Sequence, residues 1–163
     1  MAQEETHGIR DLSYSAWHRR GSTQRFVGIE AAQTLSMIDL DAALFVEWDD
    51  GTKEPLLLIE TAMDKGQSFK TATITKNLAR RVVPKLPAYV VLYKLGDAAN
   101  PVDIEWKDIV SFRVRRIWPE PETPFEEITP QEWANRLVEL RRYSAKLIDR
   151  HHEIMAANEN PRP

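Results

Sequence analysis

Three acidic residues of this 163-residue chain stand where they could do chemistry. Asp39 and Asp41 open the run DLDAALFVEW, and Glu60 lies inside the apolar run LLLIETA. A carboxylate in such a run is expensive unless something pairs with it. If residues 39–62 fold as a hairpin with 41 opposite 62 and 43 opposite 60, Asp41 and Glu60 become diagonal neighbours on one face. Two carboxylates that close repel each other, but they suit a hard, oxygen-seeking cation such as Mg²⁺, with Mn²⁺ as its substitute. A divalent ion there can polarise a phosphodiester and lower the pKa of an attacking water. The alternative is that these carboxylates sit in solvent at strand ends or pair with cations of the next helix.

The run MIDLDAALFVEWDDGTKEPLLLIETA, followed by a helical stretch and then LPAYVVLYKL, resembles the PD-(D/E)XK nuclease-like superfamily. It is similar in particular to phage-type members that carry a WHR element upstream, here Trp17-His18-Arg19, with an aspartate-x-aspartate strand start. The resemblance covers roughly residues 12–95. It implies Mg²⁺ held by Asp41 (or Asp39) and Glu60, with a lysine two positions after the glutamate to orient water or stabilise developing charge. That position is Ala62. Either the lysine has migrated, with Lys65 or Lys70 reaching back from the following loop, or the chain is a degenerate nuclease that binds without cutting. Gln67 is placed to position water or phosphate, or is simply a polar residue near a helix start. His18 and Arg19 would contact phosphate, as in related nucleases where a helix before the first core strand lines the site. The alternative packs Trp17 in the core and turns the cations outward.

Charge distribution bears on the partner. The net charge is −3, so nucleic acid would have to meet a local patch. Lys65, Lys70, Lys76, Arg80, Arg81 and Lys85 form one, with no acidic residue among them, and Arg113, Arg115 and Arg116 form a second. Lys76, Arg80 and Arg81 are the expected DNA contacts. Five glutamates and no base lie between 117 and 135, which makes pairing within the chain the competing expectation.

These residues must be positioned by a small α/β fold. The composition, 42% hydrophobic and 29% charged, is globular, and the length is that of one domain. There is no cysteine, which excludes disulfides, thiolate metal sites and a cysteine nucleophile. No apolar run approaches a membrane span and no hydrophobic signal core opens the chain, so a cytoplasmic protein with no membrane partner is expected. A short helix over 11–20, two apolar hairpin strands in mid-sheet, a helix from Ser68 to about Val83, and strands at 88–95 and 108–118 predict a mixed sheet of four or five strands, for which the resemblance implies a restriction-endonuclease-like core. The segment RFVGIEAAQTLSM is part strand-like and part helical. Residues 1–118 would form the α/β nuclease-like domain, 119–128 a Pro/Glu-rich connector, and 129–157 a long terminal helix. That helix opens on the capping box Thr129-Pro130-Gln131-Glu132. Its seam runs Trp133, Leu137, Leu140, Ser144, Leu147, His151 and Ile154, and its second half is expected to outrun the sheet and form a homodimer. No phosphate-loop, GxGxxG, HExxH or GxSxG motif is present.

Overall fold

The computed structural model describes residues 40–48 and 51–159; the 11–20 helix and the segment RFVGIEAAQTLSM lie outside them. The described chain runs β1 (Ala42–Glu47), β2 (Lys53–Met63), α1 (Thr73–Arg81), β3 (Ala88–Ala99), β4 (Lys107–Trp118), β5 (Glu126–Ile128) and α2 (Pro130–Glu159). The five strands lie in one sheet in sequence order. All neighbours are antiparallel except β2 and β3, which are parallel because α1 carries the chain back across the sheet between them. The mixed α/β sheet with a long last helix is therefore the architecture expected.

The apolar-on-both-faces character of AYVVL explains why β3 is central. Ala88, Val90 and Leu92 pack towards α1 with Leu58, Ala79, Leu86 and Ile117. Val91 and Tyr89 point the other way, to Val114, Ile128 and Trp133 under α2. A third cluster joins Val46 and Leu56 to Ile148 of α2. By strict alternation Leu56 would share a face with Leu58, but the ladder slips between Leu44 and Phe45, where Phe45 stands opposite Pro55. This bulge turns Leu56 over to the α2 side.

Several boundaries differ from expectation for physical reasons. Among the described residues the first hairpin strand is an edge, not the middle of the sheet, and Ala42, Ala43 and Phe45 are exposed. The turn is shorter than DDGTKEP because Gly51 takes a positive φ of 83° and β2 begins at Lys53. The helix starts at Thr73 rather than Ser68, with no side-chain cap, leaving Ser68–Ala72 irregular and Phe69 exposed. The β-branched TATIT run contributes to that late start. The connector contains β5, whose Glu126–Ile128 pairs with Phe112–Val114.

The capping box forms as expected: the Glu132 N–H donates to Thr129 Oγ1 at 3.2 Å and the Thr129 N–H donates to Glu132 Oε2 at 2.7 Å. The seam of α2 shifts along the helix, with Trp133, Ser144 and Ile148 buried while Ile154 is exposed. Its second half up to His152 lies on β1 and β2, where His152 meets Glu54 at 3.0 Å. Beyond β2 and β5 the β3–β4 hairpin continues alone and exposes Val102, Ile104 and Trp106 at its tip. No helix among the described residues is long and apolar enough to cross a membrane.

Candidate functional site

Glu60 sits on β2 with its side chain on the α1 face, only 5% exposed. An unpaired carboxylate there would lose its hydration without compensation. The partners are Lys70 Nζ, from the segment leading into α1, at 2.6 Å from Oε1, and the Thr75 hydroxyl, from α1 itself, at 3.1 Å from Oε2. Lys70 is partly exposed and Thr75 is buried in the first turn of α1. The irregular Ser68–Ala72 stretch matters here, because it carries Lys70 back over the end of β2.

Ala62, two residues on, packs against the α1-side core. The position where the resemblance would put a lysine is thus filled by a methyl group in an apolar layer, and the ammonium beside Glu60 comes from Lys70 instead. Lys65 does not share in this. Its side chain is exposed, and its backbone N–H donates to Gln67 Oε1 at 2.7 Å. Gln67 is spent on the same turn, with Nε2 donating to the Met63 carbonyl at 3.0 Å.

Asp41 lies just before β1. The hairpin pairs Ala42 with Ile59 and Ala43 with Leu58, two residues away from the register that would set 43 opposite 60. The ladder begins at Ala42, so Asp41 lies beyond the paired residues, and its carboxylate turns to Thr61 rather than to Glu60, whose side chain projects from the other face. The Asp41 carboxylate accepts from the Thr61 N–H at 2.6 Å and the Thr61 hydroxyl at 3.1 Å, both through Oδ2. Asp39, His18 and Arg19 lie outside the described residues. Among the described residues no group of three or more histidine or acidic side chains is arranged to hold a metal. A pair of carboxylates still suits Mg²⁺, which commonly takes one or two carboxylates and fills its remaining positions with water and substrate oxygens.

The turn after β2 is held by Asp64, which spacing alone did not single out, together with Arg113 of the second basic cluster. Asp64 takes both Arg113 Nε and an Arg113 terminal nitrogen at 2.8 Å, and accepts the Gly66 N–H at 2.9 Å. Arg113 also donates to the Gln67 carbonyl at 2.7 Å. The guanidinium holds the Asp64 carboxyl below its usual value. The D-x-G spacing of Asp64 and Gly66 is a turn signal; its partner, far along the chain on β4, leaves no local trace.

The expected DNA contacts are partly committed elsewhere. Lys76 Nζ meets Glu122 at 2.6 Å and Glu120 at 3.1 Å, which raises its pKa. Glu122 is held low chiefly by Lys76, with help from Arg115. Arg80 and Lys85 lie over the Trp118 ring at 5.7 and 5.5 Å. Arg81 is exposed and makes no ion pair among the described residues. The acidic connector therefore folds back on the basic stretch.

No protein-family model, curated protein or solved structure matches this chain.

Proposed function

We propose that this protein is a nuclease-like nucleic-acid-processing protein that hydrolyses phosphodiesters with a divalent metal. The reading rests on one observation, the Lys70 ammonium 2.6 Å from the Glu60 carboxylate. It supplies a cation beside the glutamate where Ala62 cannot. Asp41 and Glu60 would hold Mg²⁺ or Mn²⁺, with Asp39 as a further candidate ligand. When bound, the ion would polarise the phosphodiester and acidify water. Thr75 fixes the Glu60 carboxylate, and Thr61 fixes that of Asp41. Lys70 would meet a phosphate oxygen or orient the attacking water, while Arg80 and Arg81 would engage the DNA backbone.

The test is calorimetric titration of Mg²⁺ and Mn²⁺ into the wild type and Glu60→Ala, with plasmid nicking alongside. Metal binding should vanish in Glu60→Ala, and nicking should fall at least about a hundredfold in Glu60→Ala and Lys70→Ala. Lys65→Ala should cut like the wild type. Wild-type protein that neither binds metal nor nicks DNA would refute the reading.

A second reading is favoured by the apolar packing of Ala62 and the capture of Lys76 by Glu120 and Glu122. In it the chain is a catalytically silent nuclease-fold protein that binds DNA or protein as a regulatory homodimer, through the exposed Ile154 and Met155 at the end of α2. Light scattering at the mass of two chains, together with DNA retention and no nicking, would select it.

A further inference from the structure

On the face of the sheet opposite Glu60, a cavity of about 460 Å³ opens between β3, β4, the connector and α2. Its floor is the Tyr89 ring and Val114, and Pro124 forms part of the rim. Tyr89 stands directly opposite Arg116 in the β3–β4 ladder, so both side chains project into the same space. Arg136 enters from α2.

The polar atoms here are unbalanced. One terminal nitrogen of Arg116 donates to the Pro121 carbonyl at 3.0 Å, while its Nε is buried with no hydrogen-bond partner. A buried donor without an acceptor costs free energy, so Nε is left unpaired while the rest of the guanidinium has the Pro121 carbonyl as its acceptor. The Tyr89 hydroxyl makes no hydrogen bond among the described residues. Thr123 Oγ1 accepts the Arg116 N–H at 2.9 Å, which leaves its own proton free to donate. The one carboxylate, Glu126, is taken by Arg136 at 2.9 Å. Donors thus exceed acceptors, and the lining side chains, two guanidiniums and one carboxylate, carry a single net positive charge, with Glu132 outside the lining but within electrostatic reach of Arg136 and Glu126.

We propose that this cavity binds a small organic monocarboxylate, its acid group on Arg116 and Tyr89 and its apolar body against Val114 and Pro124. The terminal nitrogen of Arg116 that makes no hydrogen bond among the described residues and the Tyr89 hydroxyl offer a carboxylate one charge-assisted and one neutral contact. One negative charge cancels the excess, and the volume leaves space for a body beyond the acid group. Burial pushes the Tyr89 phenol above its ordinary pKa, against the opposing pull of Arg116 and Arg136, so it remains a donor at neutral pH. The site shares no residue with the Glu60–Lys70 pair and stands or falls independently of it.

Benzoate is the probe, titrated into the full-length isotope-labelled chain and followed by amide chemical shifts. Saturable shifts at Tyr89, Val114, Arg116 and Thr123 are expected. Arg116→Gln should weaken binding by about tenfold or more, the loss of one charge-assisted contact. Tyr89→Phe keeps the ring that meets Trp133 edge-on and should cost about threefold to tenfold. Glu126→Gln raises the net charge and should tighten binding. No saturable shift, shifts that map elsewhere, or an Arg116→Gln protein that binds like the wild type would overturn the proposal. Inorganic phosphate binding as tightly as benzoate would remove the apolar body, and phenyl phosphate binding more tightly would remove the single-charge match.

Discussion

At the scale of the residue, Glu60 concentrates the tension in this chain. A carboxylate in LLLIETA is costly, and the sequence alone marks it as paired without naming the partner. The pair that forms is lopsided: Glu60 is buried while Lys70 keeps contact with solvent. Removing the lysine strands a buried charge with one hydroxyl for company, whereas removing the glutamate charge lets the lysine relax into water. Lys70→Met should therefore cost about 2 kcal/mol, and Glu60→Gln, which can keep the Thr75 contact, about 1 kcal/mol. The double variant should lose about 1 kcal/mol less than the sum, read from urea midpoints in a double-mutant cycle. Additive losses would show that the two side chains are not coupled in solution. This stability coupling is separate from metal binding and can be measured without metal.

At the scale of the element, the turn after β2 depends on β4. Arg113 grips Asp64 with two nitrogens and the Gln67 carbonyl with one of them, and so fixes where the chain leaves the sheet towards Lys70. Because the folded Asp64 carboxyl lies below the 3.8 of a free side chain, its contribution is complete above that value. It is lost as pH falls through the depressed value. Arg113→Gln should be less stable by about 1–2 kcal/mol at pH 7, with the gap to wild type closing below about pH 4. Glu122, Glu126 and Glu132 are also held low and add acid sensitivity in the same direction. They remain in both proteins and largely cancel in the difference. Urea unfolding from pH 7 to pH 3 measures it, and a gap constant across that range would contradict the clamp.

What was legible in the sequence follows a physical division. The capping box of α2, the apolar run of β3 and the crossover between β2 and β3 rest on local patterns, and all three appear. The hairpin register was not legible, because the bulge at Leu56 is settled by which face that side chain must bury. Nor was the start of α1, where Lys70 and Thr75 gain more from reaching Glu60 than a longer helix would gain from Ser68 as its cap. Of the candidate site, Glu60 was visible in residue type and spacing, whereas Lys70 stood beside Lys65 only as what the resemblance implied, and nothing local distinguished the two. Thr75 was not, because one threonine in TATIT resembles the next until the helix phase is known.

At the scale of the whole molecule, α2 ties the two ends of the sheet together. Trp133 near its start packs on Tyr89 and Phe112, and Ile148, fifteen residues on, closes over Val46 and Leu56. The edge strand β1 has little else to bury, since most of its side chains are exposed. Ile148 thus anchors the strand that follows Asp41, and the helix's length serves this chain's own sheet at least as far as His152. The helical seam drawn from leucine spacing would give that role to Leu147, one residue and about 100° away. The two positions make a sharp comparison. Ile148→Ala should cost about 2–4 kcal/mol, as expected for emptying a fully buried aliphatic site, whereas Leu147→Ala should cost about 1 kcal/mol or less. Ile154→Asp, in the exposed last turns, should leave the unfolding midpoint within about 0.5 kcal/mol of wild type. Because β1 depends on Ile148, amide exchange in Ala42–Glu47 should accelerate in Ile148→Ala more than exchange in β3 and β4. Equal acceleration throughout would mean that the sheet unfolds as one unit and that α2 does not hold its edge separately.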